Sequence, residues 1–157
     1  MRDQLGRDQP ADQPLSRKVV ASLALLAGFA TTALLTTHDL TPARSLTPSA
    51  ALDALTRAKA GPIFNDYGFG GYMIRAGVAP FIDGRAELYG GPFIARHHRA
   101  VTLEDLPDLL RLLDEYKIGA TLLAPGRPAV ALLDRLPDWE RLYGDDIAVA
   151  HVRKATR

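Results

Sequence analysis

The side chains with the most chemical potential lie between Asn65 and Tyr89. Asp66, Asp83 and Glu87 supply three carboxylates, the groups used for general acid and base work on sugars or for holding a divalent cation. Tyr67, Phe69, Tyr72 and Tyr89 interleave rings suited to stacking on a sugar or meeting lipid. Gly70, Gly71 and Gly84 stand among them, and glycine is chosen where the backbone needs a positive φ or a close approach. Arg85 follows Asp83-Gly84 at turn spacing, so that it can pair with the aspartate. Together these residues mark one candidate binding cleft, running from Asp66 to Tyr89.

Plainer roles compete at each position. Loop aspartates commonly satisfy nearby backbone amides, so Asp83 is expected to cap a turn and pair with Arg85, with Asp66 bonding loop N–H groups. Rings beside glycines ordinarily fill the space glycine leaves open. His97-His98 invites a metal reading, but adjacent residues on a helix point about 100° apart and no third ligand is fixed, so no metal site is expected. Arg96, His97, His98 and Arg99 instead read as a basic surface, either solvated or facing lipid phosphates. The Gly68-Phe69-Gly70-Gly71 run lacks the lysine of a phosphate loop and the spacing of a dinucleotide fingerprint, so no cofactor is expected. Every serine precedes Ala50 and there is no cysteine, which removes the usual hydroxyl and thiol nucleophiles from the block.

The elements positioning these residues follow from periodicity and punctuation. Thr47-Pro48 opens a helix with Ala51, Leu52, Leu55 and Ala58 on one face, and Gly61-Pro62 stops it. Pro62–Asn65, Tyr72–Arg75 and Ala79–Ile82 read as short strands around the glycine-rich block. A helix begins near Pro92 and carries Arg96 to Ala100. Asp105 with Asp108 resembles a capping arrangement for a helix over Leu106–Tyr116, with Leu106, Leu109, Leu110 and Leu113 on its buried face. Ile118–Ala124 is an apolar strand, Pro128 starts a helix ended by Pro137, and Trp139–Tyr143 and Ile147–Val152 flank a glycine-containing loop as a C-terminal hairpin. The order predicts an α/β domain: a small, three-layer-like fold with a mixed sheet and a right-handed crossover from the Ile118 strand to the Trp139 strand.

Upstream, Val19 to Thr37 runs nineteen residues without a charge. As a helix this covers about 28 Å, close to the ~30 Å hydrocarbon thickness of a bilayer. Arg17 and Lys18 at its start put the N-terminal side in the cytoplasm by the positive-inside bias. The run is longer than a signal-peptide core and offers no Ala-x-Ala site; a buried soluble helix is the other alternative, since alanine and threonine dilute the leucines. The expected division is a disordered cytoplasmic arm (1–18), a single span (19–37), a connector (38–47), an extracytoplasmic domain (48–154) and a tail (155–157). From Asp39 onward fifteen basic residues balance fifteen acidic ones, so no basic stripe points to nucleic acid.

The succession Gly70-Gly71-Tyr72, Phe81-Ile82-Asp83-Gly84-Arg85-Ala86-Glu87-Leu88-Tyr89-Gly90, Glu115 to Pro125 and Asp138 to Lys154 resembles the C-terminal soluble domain of large bacterial polytopic membrane proteins. Many of those are similar to glycosyltransferases that use polyprenyl-phosphate-linked sugars. The resemblance covers about Pro48 to Lys154 and implies a periplasmic domain anchored in the inner membrane, whose partners are the bilayer and either a polytopic membrane protein or a lipid-linked sugar. The catalytic acid of that family lies in an early extracytoplasmic loop outside these residues, so no catalytic residue carries over. Only Gly70, Gly71, Tyr72 and the Asp83-Gly84-Arg85 turn do, and Phe69 stands where the resemblance leads one to expect tryptophan. The expected role is a non-catalytic domain that contacts a partner or substrate; the alternative is a sugar-binding component using the Asp66 to Tyr89 cleft.

Overall fold

A computed structural model of the chain describes residues 16–37 and 47–154. The arm before Ser16, the connector over 38–46 and the tail over 155–157 lie outside the described residues. The chain divides into an N-terminal unit, Met1–Thr41, and a globular unit, Pro42–Arg157.

In the first unit α1 spans Arg17–Thr37, 21 residues of which none is buried. By length and composition it can cross a membrane. Its threonines do not break it, because Thr31 and Thr32 return their hydroxyls to the carbonyls of Ala27 and Gly28 one turn back.

The globular unit is a mixed α/β domain around four strands. These are β1 (Ile63–Asn65), β2 (Ala120–Leu123), β3 (Trp139–Gly144) and β4 (Val149–Arg153), in the order β1-β2-β4-β3. β1 and β2 are parallel, with Asn65 opposite Leu122, whereas β4 is antiparallel to both β2 and β3. The strands joined by the expected crossover, β2 and β3, are therefore parallel to each other with β4 between them.

Alternation along the strands makes two apolar clusters. Phe64, Leu123 and Val149 join Leu109, Leu112, Leu113, Val130 and Leu133 in one cluster. Ile63, Leu122 and Ala150 join Leu52, Leu55 and Met73 in the other. Period-two side chains thus serve both sides of one sheet. The helices involved are α2 (Ser49–Arg57), α3 (Gly70–Arg75), α5 (Gly91–Thr102), α6 (Leu106–Glu115) and α7 (Pro128–Leu133), with α4 (Ala86–Tyr89) a single turn. Asp105 caps α6 by accepting from the Asp108 N–H at 3.0 Å, as its spacing predicts. At α2 the cap position is Pro48 rather than Thr47, and Pro48 has no side-chain group to cap the helix.

Two expected strands are absent. Tyr72–Arg75 is the end of α3, because Gly70 and Met73 are buried three residues apart, a helical and not a strand spacing. The helix ends at Arg75 with Ala76 as its cap, and Gly77, with φ of +74°, lets Val78 N–H reach Met73 O at 2.9 Å and Gly77 N–H reach Ile74 O at 3.0 Å. Ala79–Ile82 forms no ladder either. Its Phe81 and Ile82 peptide groups bond to the side chain of Asn65.

Candidate functional site

The carboxyl ends of the parallel pair β1 and β2 converge on one polar cluster, and in open α/β sheets this is where ligands bind. The Asp66 N–H continues the ladder to Leu122 O at 2.8 Å. Pro125-Gly126 then turns the chain, Arg127 N–H closing on Ala124 O at 3.0 Å. The turn delivers Arg127 to Asp66: Nη2 donates to Oδ1 at 3.0 Å and Nε to Oδ2. Burial alone would raise the Asp66 carboxyl, but the hydrogen bonds and charge of Arg127, with the Gly68 N–H, bring it below the usual carboxylate range.

Asn65 organises the next layer. It is fully buried, its Nδ2 donating to Asp66 O and Ile82 O at 2.8 Å each, its Oδ1 accepting from Phe81 N–H at 2.8 Å and Ile82 N–H at 3.3 Å. One side chain thus replaces a strand neighbour for the 81–82 segment. His97, on α5, is 3% exposed and lies 2.9 Å from Asn65 O through Nε2. A carbonyl accepts only, so Nε2 carries the proton and Nδ1 of the neutral ring holds a lone pair. Desolvation pushes the His97 pKa down, against the raising effect of that hydrogen bond and of Asp66.

Gly70 explains the first glycine of the doublet. A Cβ there would stand 2.2 Å from Ile82 O and 2.6 Å from Asp83 Cα, so only glycine allows the helix to touch the 82–83 backbone. Gly71 has nothing within 4 Å of its would-be Cβ.

Asp83, 1% exposed, anchors the second cluster. Oδ1 accepts from the Arg85 N–H and Nε at 2.9 Å each, and Oδ2 accepts from Arg85 Nη2 and the Tyr89 hydroxyl at 2.7 Å each. The Arg85 bonds hold the carboxyl well below its ordinary range. Burial and the Asp83 carboxylate raise the Tyr89 phenol. The Tyr89 ring stacks on Phe93 with centroids 5.9 Å apart.

The expected site residues are not gathered around one cleft. Asp66 and Asp83 each face an arginine, Glu87 is exposed, and among the described residues no group of three or more His, Cys, Asp or Glu side chains could hold a metal. Tyr67 borders a hollow of about 490 Å³ beside Arg127 and α5. Phe69, Gly71 and Tyr72 border a separate one of about 340 Å³ with Thr47, Pro48 and Arg75. Tyr89 borders a third of about 410 Å³ with Phe81, Phe93 and Tyr116. Gly84 and Arg85 lie exposed on the turn itself.

No family model, curated protein or solved structure matches this chain.

The expected basic surface over Arg96 to Arg99 is reduced by pairing. Arg96 forks onto Asp108, with Nε to Oδ2 and Nη2 to Oδ1 at 2.9 Å each, and also reaches Glu115 at 3.1 Å. His97 turns inward, leaving His98 and Arg99 exposed. Three features escaped the sequence reading. Asn65 was legible as a polar residue ending an apolar strand, and Arg127 as the charge directly after the Pro125-Gly126 turn. The third is a hydroxyl, imidazole and carboxylate chain: Thr121 Oγ1 lies 3.3 Å from His151 Nδ1, and His151 Nε2 lies 2.9 Å from Asp134 Oδ1. Arg141 first, then His151, holds Asp134 at about 2. Thr121 and His151 are wholly buried, so this chain ties β2 and β4 to the end of α7 and offers no nucleophile to solvent.

Proposed function

We propose that the protein is a single-span membrane protein whose α/β domain contacts a partner or substrate outside the cytoplasm and performs no chemistry of its own. The observation that carries the reading is α1, a 21-residue apolar helix with no buried residue. Arg17 and Lys18 at its start favour a cytoplasmic N-terminal side, which directs the domain to the periplasm of a bacterial inner membrane. Within the domain, Asp66 and Asp83 are engaged by arginines, so the Asp66 to Tyr89 block supports a binding surface better than it supplies a free acid or base. We read the sheet with α2 and α3 against one cluster and α5, α6 and α7 against the other as a three-layer stack, and β3 with β4 as its closing hairpin. These are the traits expected of the terminal domain of glycosyltransferase-like membrane proteins.

The test joins extraction and topology. Alkaline carbonate should leave the full chain in the membrane pellet, and alkaline phosphatase fused after Arg157 should be active while a fused green fluorescent protein stays dark. Release into the supernatant would sink the anchor, and a bright fluorescent fusion would reverse the orientation.

A second reading is favoured by the hollow in which the half-buried rings of Phe69 and Tyr72 meet the exposed Gly68 and Gly71. Rings beside open backbone suit the face of a saccharide. Titration with mono- and disaccharides should then shift the amide resonances of Gly68 to Arg75 saturably, and unmoved resonances would remove the sugar reading.

A further inference from the structure

We propose that the hollow beside Arg127 is a binding site for a small amphiphilic anion, an apolar chain or ring ending in a carboxylate or a phosphate. It lies wholly within the globular unit, so it does not depend on the anchor or the orientation proposed above. At about 490 Å³ it falls in the size range of small-molecule sites.

The walls divide by chemistry. Ile94, Ala95 and Val101, from α5, form an apolar side that suits hydrocarbon. Tyr67, His98 and Arg127 bring polar groups to the same space, and His97 joins them from the buried side. Among the described residues no aspartate or glutamate lines the hollow. Asp66 beside it takes Nε and Nη2 of Arg127, which leaves the Nη1 amino group outside that ion pair. An arginine can hold a structural carboxylate with one edge and offer donors with the other, which a lysine cannot do.

A second positive element points the same way. Gly91, the first residue of α5, lines the hollow, and no side chain caps that 12-residue helix at Gly90. Pro92 has no N–H, so it is the Gly91 N–H and the positive end of the helix dipole that add to Arg127 in favouring an anion. Apolar wall and positive groups together select a ligand with one greasy body and one charged head; a bare anion would leave Ile94, Ala95 and Val101 unused, and a neutral chain would leave Arg127 unused.

The experiment uses the full chain in phosphatidylcholine nanodiscs, with empty nanodiscs subtracted to remove partition into lipid. Equilibrium dialysis with radiolabelled hexanoate, hexyl phosphate, hexan-1-ol and inorganic phosphate separates body from head, and the first two distinguish carboxylate from phosphate. Saturable one-to-one uptake is expected for at least one of the two amphiphiles, with hexan-1-ol and inorganic phosphate at least about tenfold weaker. Ala95 is exposed on α5, so Ala95→Trp should fill the hollow without touching the core, keep the melting temperature, and lower amphiphile affinity about tenfold or more. Absence of saturable uptake, equal binding of hexan-1-ol, or uptake unchanged in a folded Ala95→Trp variant would each overturn the site.

Discussion

Asp66 and Asp83 are nearly inaccessible, at 5% and 1% exposure, and each is held in an arginine fork, yet the two forks do different work. Arg127 comes to Asp66 from 61 residues away, so that pair fastens the loop after β1 to the loop after β2. Arg85 comes to Asp83 from two residues away and shapes a local turn. Closing a longer loop costs more chain entropy, although the cost rises only with the logarithm of its length, so the distant fork constrains more of the fold than the local one. Exposure agrees: the Arg85 side chain is 55% exposed and rehydrates easily if released, that of Arg127 only 34%. One pattern, carboxylate plus arginine, thus serves as a staple at one end of the block and as a turn former at the other.

The two regions meet at Gly70, and the largest expected effect is there. Gly70→Ala would drive a methyl into the Ile82 carbonyl and the Asp83 backbone. Neither is a flexible side chain that can turn away, so the variant should lose about 3 kcal/mol or more in chemical denaturation. A Gly70→Ala protein with an unchanged midpoint would mean that the two ends are not coupled through this contact.

Asp66→Asn comes next. It keeps the size of the side chain but removes the charge facing Arg127, and should cost about 2 kcal/mol, below the usual loss for a buried pair because Arg127 is partly solvated. Asp83→Asn should lower the melting temperature by less, since its asparagine still accepts from the Arg85 N–H and no distant segment comes loose. The reverse order would make the 83–89 turn the organising element.

Acid should separate the two ends in time. Burial keeps the folded pKa of His97 below its ordinary value, so the unfolded chain takes up the proton first, and stability falls as pH drops through about 6.5. His97 is hydrogen-bonded to Asn65 O at 2.9 Å, whereas the hydrogen bonds of Asp83 go to Arg85 and Tyr89. His151, also depressed by burial, adds the same sign elsewhere in the sheet. The aspartates have lowered folded values, so their contribution persists at those pH values and is lost only below the ordinary carboxylate range. Hydrogen exchange between pH 7 and 5, corrected for intrinsic rates, should therefore quicken at Asn65 to Tyr67 before it quickens at Arg85 to Tyr89. Equal loosening of both would break the distinction.

These contacts explain what could be read from the chain alone. The Asp105 cap, Leu109 and Leu113 on α6 and the apolar β2 follow local rules of spacing and were legible, as were α1 and the mixed α/β class; Leu106, expected on the buried face of α6, is exposed, and Leu112 is buried instead. Asp83 with Arg85 was legible for the same reason, two residues apart. Asp66 with Arg127 was not, since nothing within a window of turn length connects them. The strand readings of 72–75 and 79–82 failed where long-range contacts decide the conformation. Gly70 requires the 82–83 backbone to explain it, and the Phe81 and Ile82 peptide groups are satisfied by the Asn65 side chain, which propensity cannot foresee. Of the eleven expected site residues, Tyr67, Phe69, Gly71, Tyr72 and Tyr89 border three different hollows, while Asp66 and Asp83 are held by arginines instead.

The smallest effect is expected one residue from the largest. Gly71 lies in the first turn of α3, with nothing within 4 Å of a would-be Cβ and no positive φ. Alanine there would reduce the entropy of the unfolded chain and favour helix, so Gly71→Ala should be neutral or stabilise by about 0.5 kcal/mol. The doublet then separates into a glycine demanded by packing and one that packing leaves free. Gly71 also borders the hollow of Phe69 and Tyr72. If Gly71→Ala leaves stability intact yet weakens saccharide binding or retention of a membrane partner, its glycine serves an approach from outside the domain; a denaturation midpoint lowered as far as by Gly70→Ala would assign it to the internal frame instead.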